Sequence, residues 1–255
     1  CLTILVALIS MKAATTQAAT FTIFANTADG IVRDTGPSYD GLGDLTYSNP
    51  DSHYNIGRLS GHQDDSYILP IQLPTIPFGE SISGSSISVW LQDFLNNNVG
   101  QVAPPFNLDL WGLDRHNASP NMQNSDFQAL GTLIKASFID GSNLPPVSYG
   151  PTGGTYVTFN GPALDNFLSA QYTAGAVAGD YVFLRLSRND GGQFANSVDP
   201  NTFYQFRSAS AANVSGGKAP FLEINTATEI PEPTSIILFL GGAAALWCFR
   251  RRSKK

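Results

Sequence analysis

Thiols, histidines and charged side chains are all scarce in this chain of 255 residues, which holds two cysteines, three histidines and 13% charged residues. Cys1 and Cys248 stand at its extremes, so the long stretch between them has no thiol. That excludes internal disulfides, cysteine-based zinc sites and a thiol nucleophile from the central part. A span of this size buries enough apolar surface to fold without such staples. The histidines, His53, His62 and His116, sit among polar, turn-forming neighbours and read as loop residues rather than as metal ligands or triad members. The local signatures of catalysis are missing too. There is no Gly-x-Ser-x-Gly elbow, no His-Glu-x-x-His and no Gly-x-x-x-x-Gly-Lys loop. The sequence therefore does not indicate an enzyme.

Basic residues are rare in the middle of the chain. Six of the fourteen, Lys12, Arg250, Arg251, Arg252, Lys254 and Lys255, lie near the two ends. Between residues 20 and 228 the remaining eight face eighteen acidic residues, a net charge of −10. Such a surface repels a phosphate backbone, which excludes nucleic acid as a partner. It suits solubility outside a cell and attracts divalent cations.

Both ends read as processing segments. Cys1 to Ile9 is an almost unbroken apolar run, followed by the small residues of Ala13 to Ala19. This pattern predicts a secretory signal peptide over 1–19, shortened at its start, passed through the Sec translocon and cut by signal peptidase after Ala18 or Ala19. At the other end Pro231-Glu232-Pro233 is followed by the uncharged segment 234–249 and then by Arg250, Arg251, Arg252, Ser253, Lys254 and Lys255. The prolines keep the peptide extended. Sixteen apolar residues fall a little short of the ~20 that cross a hydrocarbon core of ~30 Å, so a thinned bilayer or snorkelling is needed. The basic cluster stays cytoplasmic, which places the preceding domain across the inner membrane. This three-part end, residues 229–255, resembles the PEP-CTERM sorting signal. The resemblance implies recognition of Pro231, Glu232 and Pro233 by an exosortase-type processing enzyme. It also implies a Gram-negative envelope, cells that make extracellular polysaccharide and a final place at the cell surface or outside it.

Residues 20–228 are rich in Gly, Pro, Ser, Asn and Thr, with short apolar runs between turn signals, and predict a single all-β domain. Ile87, Val89 and Leu91 alternate with Ser88, Trp90 and Gln92; Phe106, Leu108 and Leu110 with Asn107, Asp109 and Trp111. Val182, Leu184 and Leu186 alternate with Tyr181, Phe183 and Arg185, and Leu222 and Ile224 flank Glu223. Strands of this kind cover a core on one face only, as in a β-sandwich. One helix is expected after Pro162, with Leu164, Phe167, Leu168 and Tyr172 on one face. The segments around Ala28–Asp34, Tyr54–Leu59, Ser66–Leu73, Ile82–Leu91, Phe203–Ser208 and Ala219–Ile224 together resemble DNRLRE-type domains, which are related to some carbohydrate-binding modules. That resemblance implies a jelly-roll sandwich and glycan binding.

Two sets of candidate site residues follow. Asp29, Asp34, Asp64 and Asp65, with Asp40 and Asp44 nearby, supply hard oxygen ligands of the kind a structural calcium ion takes, although no EF-hand spacing occurs. Solvated turn acids are the alternative. Trp90 and Trp111 fall on the phase opposite the aliphatic stripe, with Asn107 and Asp109 beside Trp111, and predict an aromatic platform for sugar rings; packing inside a two-sided core is the alternative. The leading expectation is a non-catalytic module associated with extracellular polysaccharide. A coat or matrix protein without glycan affinity and an exported hydrolase with an unrecognised site are the competing readings.

Overall fold

In the computed structural model the described residues are 19–35, 41–48, 53–59, 63–96, 103–150, 153–189, 201–209 and 218–228. Residues 1–18, most of the segment expected to be a signal peptide over 1–19, and those beyond 228, with Pro231, Glu232, Pro233 and the basic cluster, lie outside them. Twelve strands form one curled sheet: β1 (Thr20–Phe24), β2 (Gly30–Thr35), β3 (Leu45–Tyr47), β4 (His53–Leu59), β5 (Gln63–Gln72), β6 (Glu80–Asn96), β7 (Leu108–Asn117), β8 (Gly131–Ile139), β9 (Thr155–Asn160), β10 (Tyr181–Arg188), β11 (Thr202–Arg207) and β12 (Phe221–Thr228). Among the described residues one α-helix, α1 (Pro162–Thr173), lies between β9 and β10. Every strand pair among the described residues is antiparallel. Among the described residues no helix is long and apolar enough to cross a membrane.

Two long strands produce the curl. Residues 86–88 of β6 pair with β12 and β9 at once, and Leu91 pairs with β9 and β11. A strand has only two hydrogen-bonding edges, so β12 and β11 follow one another along one edge and β9 takes the other. β5 repeats the arrangement, with β4 and β10 in line on one edge and β2 opposite. Register shifts in β12 between Asn225 and Thr226, and in β11 between Gln205 and Phe206, accompany the turn of β6. Such bulges increase local twist, which lets one ladder bend around a core.

The aliphatic members of each alternation read from the sequence are buried, but β10 is covered on both faces, with Phe183 and Arg185 buried as well. Ile87, Val89, Leu91, Phe106, Leu108, Leu110, Val182, Leu184, Leu186, Leu222 and Ile224 all enter one large core. Leu164, Phe167 and Leu168 of α1 join it, and Tyr172 packs on its margin. Pro162 opens the helix, where its missing N–H costs nothing. Gly112 of β7 lets the helix approach, since a Cβ there would stand 2.4 Å from the Phe167 ring. The opposite face of β5, β10 and β7 is also covered. Val32, Ile68, Leu113 and Phe183 form a second, smaller cluster beneath Met122, Phe127 and Ala129. Arg185 clamps this cover by donating from Nη1 to the carbonyls of Asp126, Phe127 and Ala129 at 2.7–3.1 Å.

The register fixes two poles. Thr228 stands opposite Glu80, and Thr20 opposite Asn225, so the first strand begins and the last ends where β6 starts. The backbone N–H of Thr226 also donates to the Ala19 carbonyl. Gln72 and Asn117 both face Tyr181 at this same pole. Leu108, Ile139 and Arg188 mark the other.

Candidate binding face

β1, β12, β6 and β9 lie side by side, and the inward alternation of Ile87, Val89, Leu222 and Ile224 turns the intervening side chains outward. The rows follow from register. Phe24, Phe221, Ser88 and Thr158 form one; Thr22, Glu223, Ser86 and Asn160 the next; Trp90 and Tyr156 are partners across β6 and β9. The aromatic members form a continuous strip. Ring centroids are 6.0 Å apart for Phe24 and Phe221, 5.3 Å for Phe221 and Tyr156, and 5.1 Å for Tyr156 and Trp90. The last two contacts are edge-to-face, the arrangement ring quadrupoles favour. Lys218 holds its ammonium 4.8 Å from the centre of the Trp90 ring, a cation–π contact.

Phe24 is 55% exposed, and Phe221, Tyr156 and Trp90 are partly so. Gly154 makes room at the end of the strip. Its φ is +104°, and a Cβ there would meet the Leu91 carbonyl at 2.4 Å and Trp90 Nε1 at 2.7 Å. Burial raises the Tyr156 phenol above its ordinary range, so the ring stays neutral and its hydroxyl donates to the Ala219 carbonyl. Beside the strip runs a polar bed. Ser88 and Thr158 share a hydroxyl hydrogen bond of 2.8 Å, Ser86 donates to Glu223 at 3.2 Å, and Thr20 donates to Asn225 at 2.7 Å. A face of this kind offers flat apolar surface next to hydroxyl, carboxamide and carboxylate groups.

The candidates named from the sequence divide. Trp90 belongs to this strip. Trp111 lies elsewhere, between Arg185 of β10 and Leu133 of β8, with the Arg185 guanidinium 5.7 Å from its ring; β6 and β7 do not pair. Asn107 and Asp109 hold the backbone of β8. Ser137 has a φ of +48°, unusual for a residue with a Cβ. Its N–H donates to Asp109 Oδ1 at 2.7 Å, and Asn107 donates to its hydroxyl at 3.1 Å while accepting from the Gly141 N–H.

The acids considered for calcium are engaged by the protein's own donors. Asp65 receives a bidentate pair from Arg33 at 2.6 and 2.7 Å. Asp64 lies 3.4 Å from Arg188, Asp34 accepts from the Gly41 N–H, and Asp29 accepts from the Tyr67 hydroxyl at 2.5 Å and the Ala209 N–H at 2.8 Å. All four are buried within or beside strands, not in solvated turns, and three of them meet an arginine or a phenol that donates to the oxygens a cation would otherwise take. Asp44 accepts from Thr35. Among the described residues no three His, Cys, Asp or Glu side chains converge on a metal position. His53 lies in β4 and His116 in β7, the latter 3.4 Å from Gln171.

No known family model and no curated protein matches this chain.

Tyr156, Phe221, Phe24, Lys218 and Glu223 were not singled out from the sequence. The alternation of Tyr156, Thr158 and Asn160 against Val157 and Phe159 would have given the phase of β9. Which strands neighbour one another is not a local property.

Proposed function

We propose that this chain is an exported surface protein whose central domain is a jelly-roll sandwich that binds extracellular polysaccharide without catalysis. In this reading residues 1–19 are the signal peptide. Residues 229–255 are a tail sorted by an exosortase-type enzyme, with a span at 234–249 that rests in the inner membrane during processing. The domain is released or held at the cell surface. The PEP-CTERM and DNRLRE-type resemblances support the destination and the fold type. The observation that carries the binding role is the aromatic strip Phe24–Phe221–Tyr156–Trp90 beside the polar bed of Ser86, Thr158 and Glu223. Sugar rings have apolar faces and hydroxyl rims, and the two halves of this surface complement each. No step of bond cleavage is assigned to it.

The test compares retention on the producing cell's own polysaccharide. Phe24→Ala and Tyr156→Ala should each weaken retention several-fold while circular dichroism stays that of the wild type, and Trp111→Ala on the other face should leave it unchanged. Loss with Trp111→Ala alone would move the site to β7, and equal retention of all variants would remove the binding role. Sorting is tested separately by the intact mass of protein recovered from the surface, which should lack everything after the Pro231-Glu232-Pro233 region.

A further inference from the structure

The loop between β5 and β6 places a phenylalanine in full contact with solvent. Phe78 is 106% exposed. The turn that carries it is locally determined: Pro77 precedes it, Gly79 follows with a φ of +79°, and the Glu80 N–H donates to the Pro77 carbonyl at 3.0 Å. That is the pattern of a type II turn, in which the third residue needs a positive φ that glycine supplies without strain. The base of the loop is tied down as well. Leu73 exchanges backbone hydrogen bonds with Asp180 and Gly179 at 2.7 and 3.0 Å, and Tyr172 donates to the Pro74 carbonyl at 2.7 Å. These bonds join it to the neighbouring loop, which exposes Val177 at 61%. A single exposed apolar residue is ordinary on a protein surface. Two on fastened loops at one pole, beside both boundaries of the domain, are a different matter.

The position follows from register. Glu80, two residues beyond Phe78, is the cross-strand partner of Thr228, and Thr20 lies nearby opposite Asn225. Five residues, 229–233, separate Thr228 from the start of the uncharged segment at Thr234, a stretch that spans at most about 22 Å when fully extended. A bilayer that holds residues 234–249 is therefore within one short tether of Phe78.

We propose that this pole is a lipid-contacting face, with Phe78 inserted at the interface of the bilayer that holds the tail and Val177 resting beside it. The inference depends on the reading of 234–249 as a span. Aromatic side chains are favoured at this depth, where the ring meets the acyl boundary. Contact there would set the domain on its pole and turn the strip of Trp90, Tyr156, Phe221 and Phe24 away from the membrane plane, across the sides of the strands.

The experiment uses the full chain with Cys1→Ser and Cys248→Ser, reconstituted in vesicles of three parts phosphatidylethanolamine to one part phosphatidylglycerol. Nitroxide labels are attached to the variants Phe78→Cys, Asn143→Cys at the opposite pole, and Leu240→Cys within the tail. Collision with oxygen, which concentrates in lipid, is compared with collision with a water-soluble nickel chelate. The label at 78 should show oxygen access several-fold greater, relative to nickel, than the label at 143. A lipid signal at 240 with a water signal at 78 overturns the proposal alone. A water signal at 240 overturns the span and the proposal with it. A label at 78 shielded from both reagents, as beneath a second copy of the chain, also overturns it.

Discussion

Replacing Asp29 by alanine should be among the most damaging single changes in the domain. Asp29 is fully buried in the turn before β2, yet it ties together three distant segments. Its Oδ2 accepts from the Tyr67 hydroxyl of β5 and from the N–H of Ala209, just after β11, while its carbonyl accepts from the Tyr54 hydroxyl of β4. Tyr54 and Tyr67 pack at 5.2 Å and Tyr67 and Phe206 at 6.0 Å, so the carboxylate is walled in by rings. Burial, and then the Asp29 charge, push the Tyr67 phenol far above its ordinary range, so it remains a donor at any physiological pH. Asp29→Ala leaves the Ala209 N–H without this acceptor and the Tyr67 hydroxyl with only its longer bond to the Arg207 carbonyl at 3.2 Å, at about 1–3 kcal/mol each. The summed loss is on the order of 4 kcal/mol, a large share of the 5–15 kcal/mol that holds a typical domain together. For a domain of this size that corresponds to a fall in Tm of roughly 8–16 °C. The assay is urea denaturation of Asp29→Ala, Tyr67→Phe and the double variant, followed by tyrosine fluorescence and circular dichroism. The reasoning predicts a coupling energy above ~1 kcal/mol between the two sites, because removing either partner already breaks the bond. Additive losses, or a cost below about 1 kcal/mol for Asp29→Ala, would refute it.

Other expectations concern the covered faces and the edges. Burial, with Arg207 second, lowers the His53 pKa below the ordinary 6.5. The unfolded chain then binds a proton that the folded one refuses, so stability should fall as pH drops below about 6.5, and His53→Gln should flatten that slope in denaturant titrations. Gly112→Val should drive the Phe167 ring away and speed amide exchange through Pro162–Thr173 while leaving β5 and β10 protected. Arg185→Leu releases three carbonyls that its guanidinium satisfies, and limited proteolysis should then cut between Asn117 and Gly131 well before the strands themselves.

Much of the strand pattern was legible without coordinates. The side-chain period of two is enforced by the pleat, so a run such as Leu108-Asp109-Leu110-Trp111 announces its inward and outward members wherever it is placed. The same holds for Pro162 and the apolar face behind it, since helix period and N-terminal proline chemistry are local. The acids mislead for a related reason. Asp64-Asp65 follows Gly61-His62-Gln63, which reads as a turn, yet these residues open a strand whose arginine partners come from β2 and from the end of β10. Asn107 and Asp109 look equally available in sequence, but their task is to hold Ser137, thirty and twenty-eight residues away.

The sequence by itself determined which residues could face a core, the acidity of the central domain, its lack of thiols and the character of the two ends. Those properties depend on composition and on repeats no longer than a few residues. Tertiary structure decided which strands lie side by side. It gathered Phe24, Tyr156, Trp90 and Phe221 from four strands into one strip, set Trp111 apart, and brought Phe78 beside the boundary at Thr228. Strand neighbours are chosen by the burial of the whole apolar set and by where β5 and β6 bend, and no short stretch of chain carries that information.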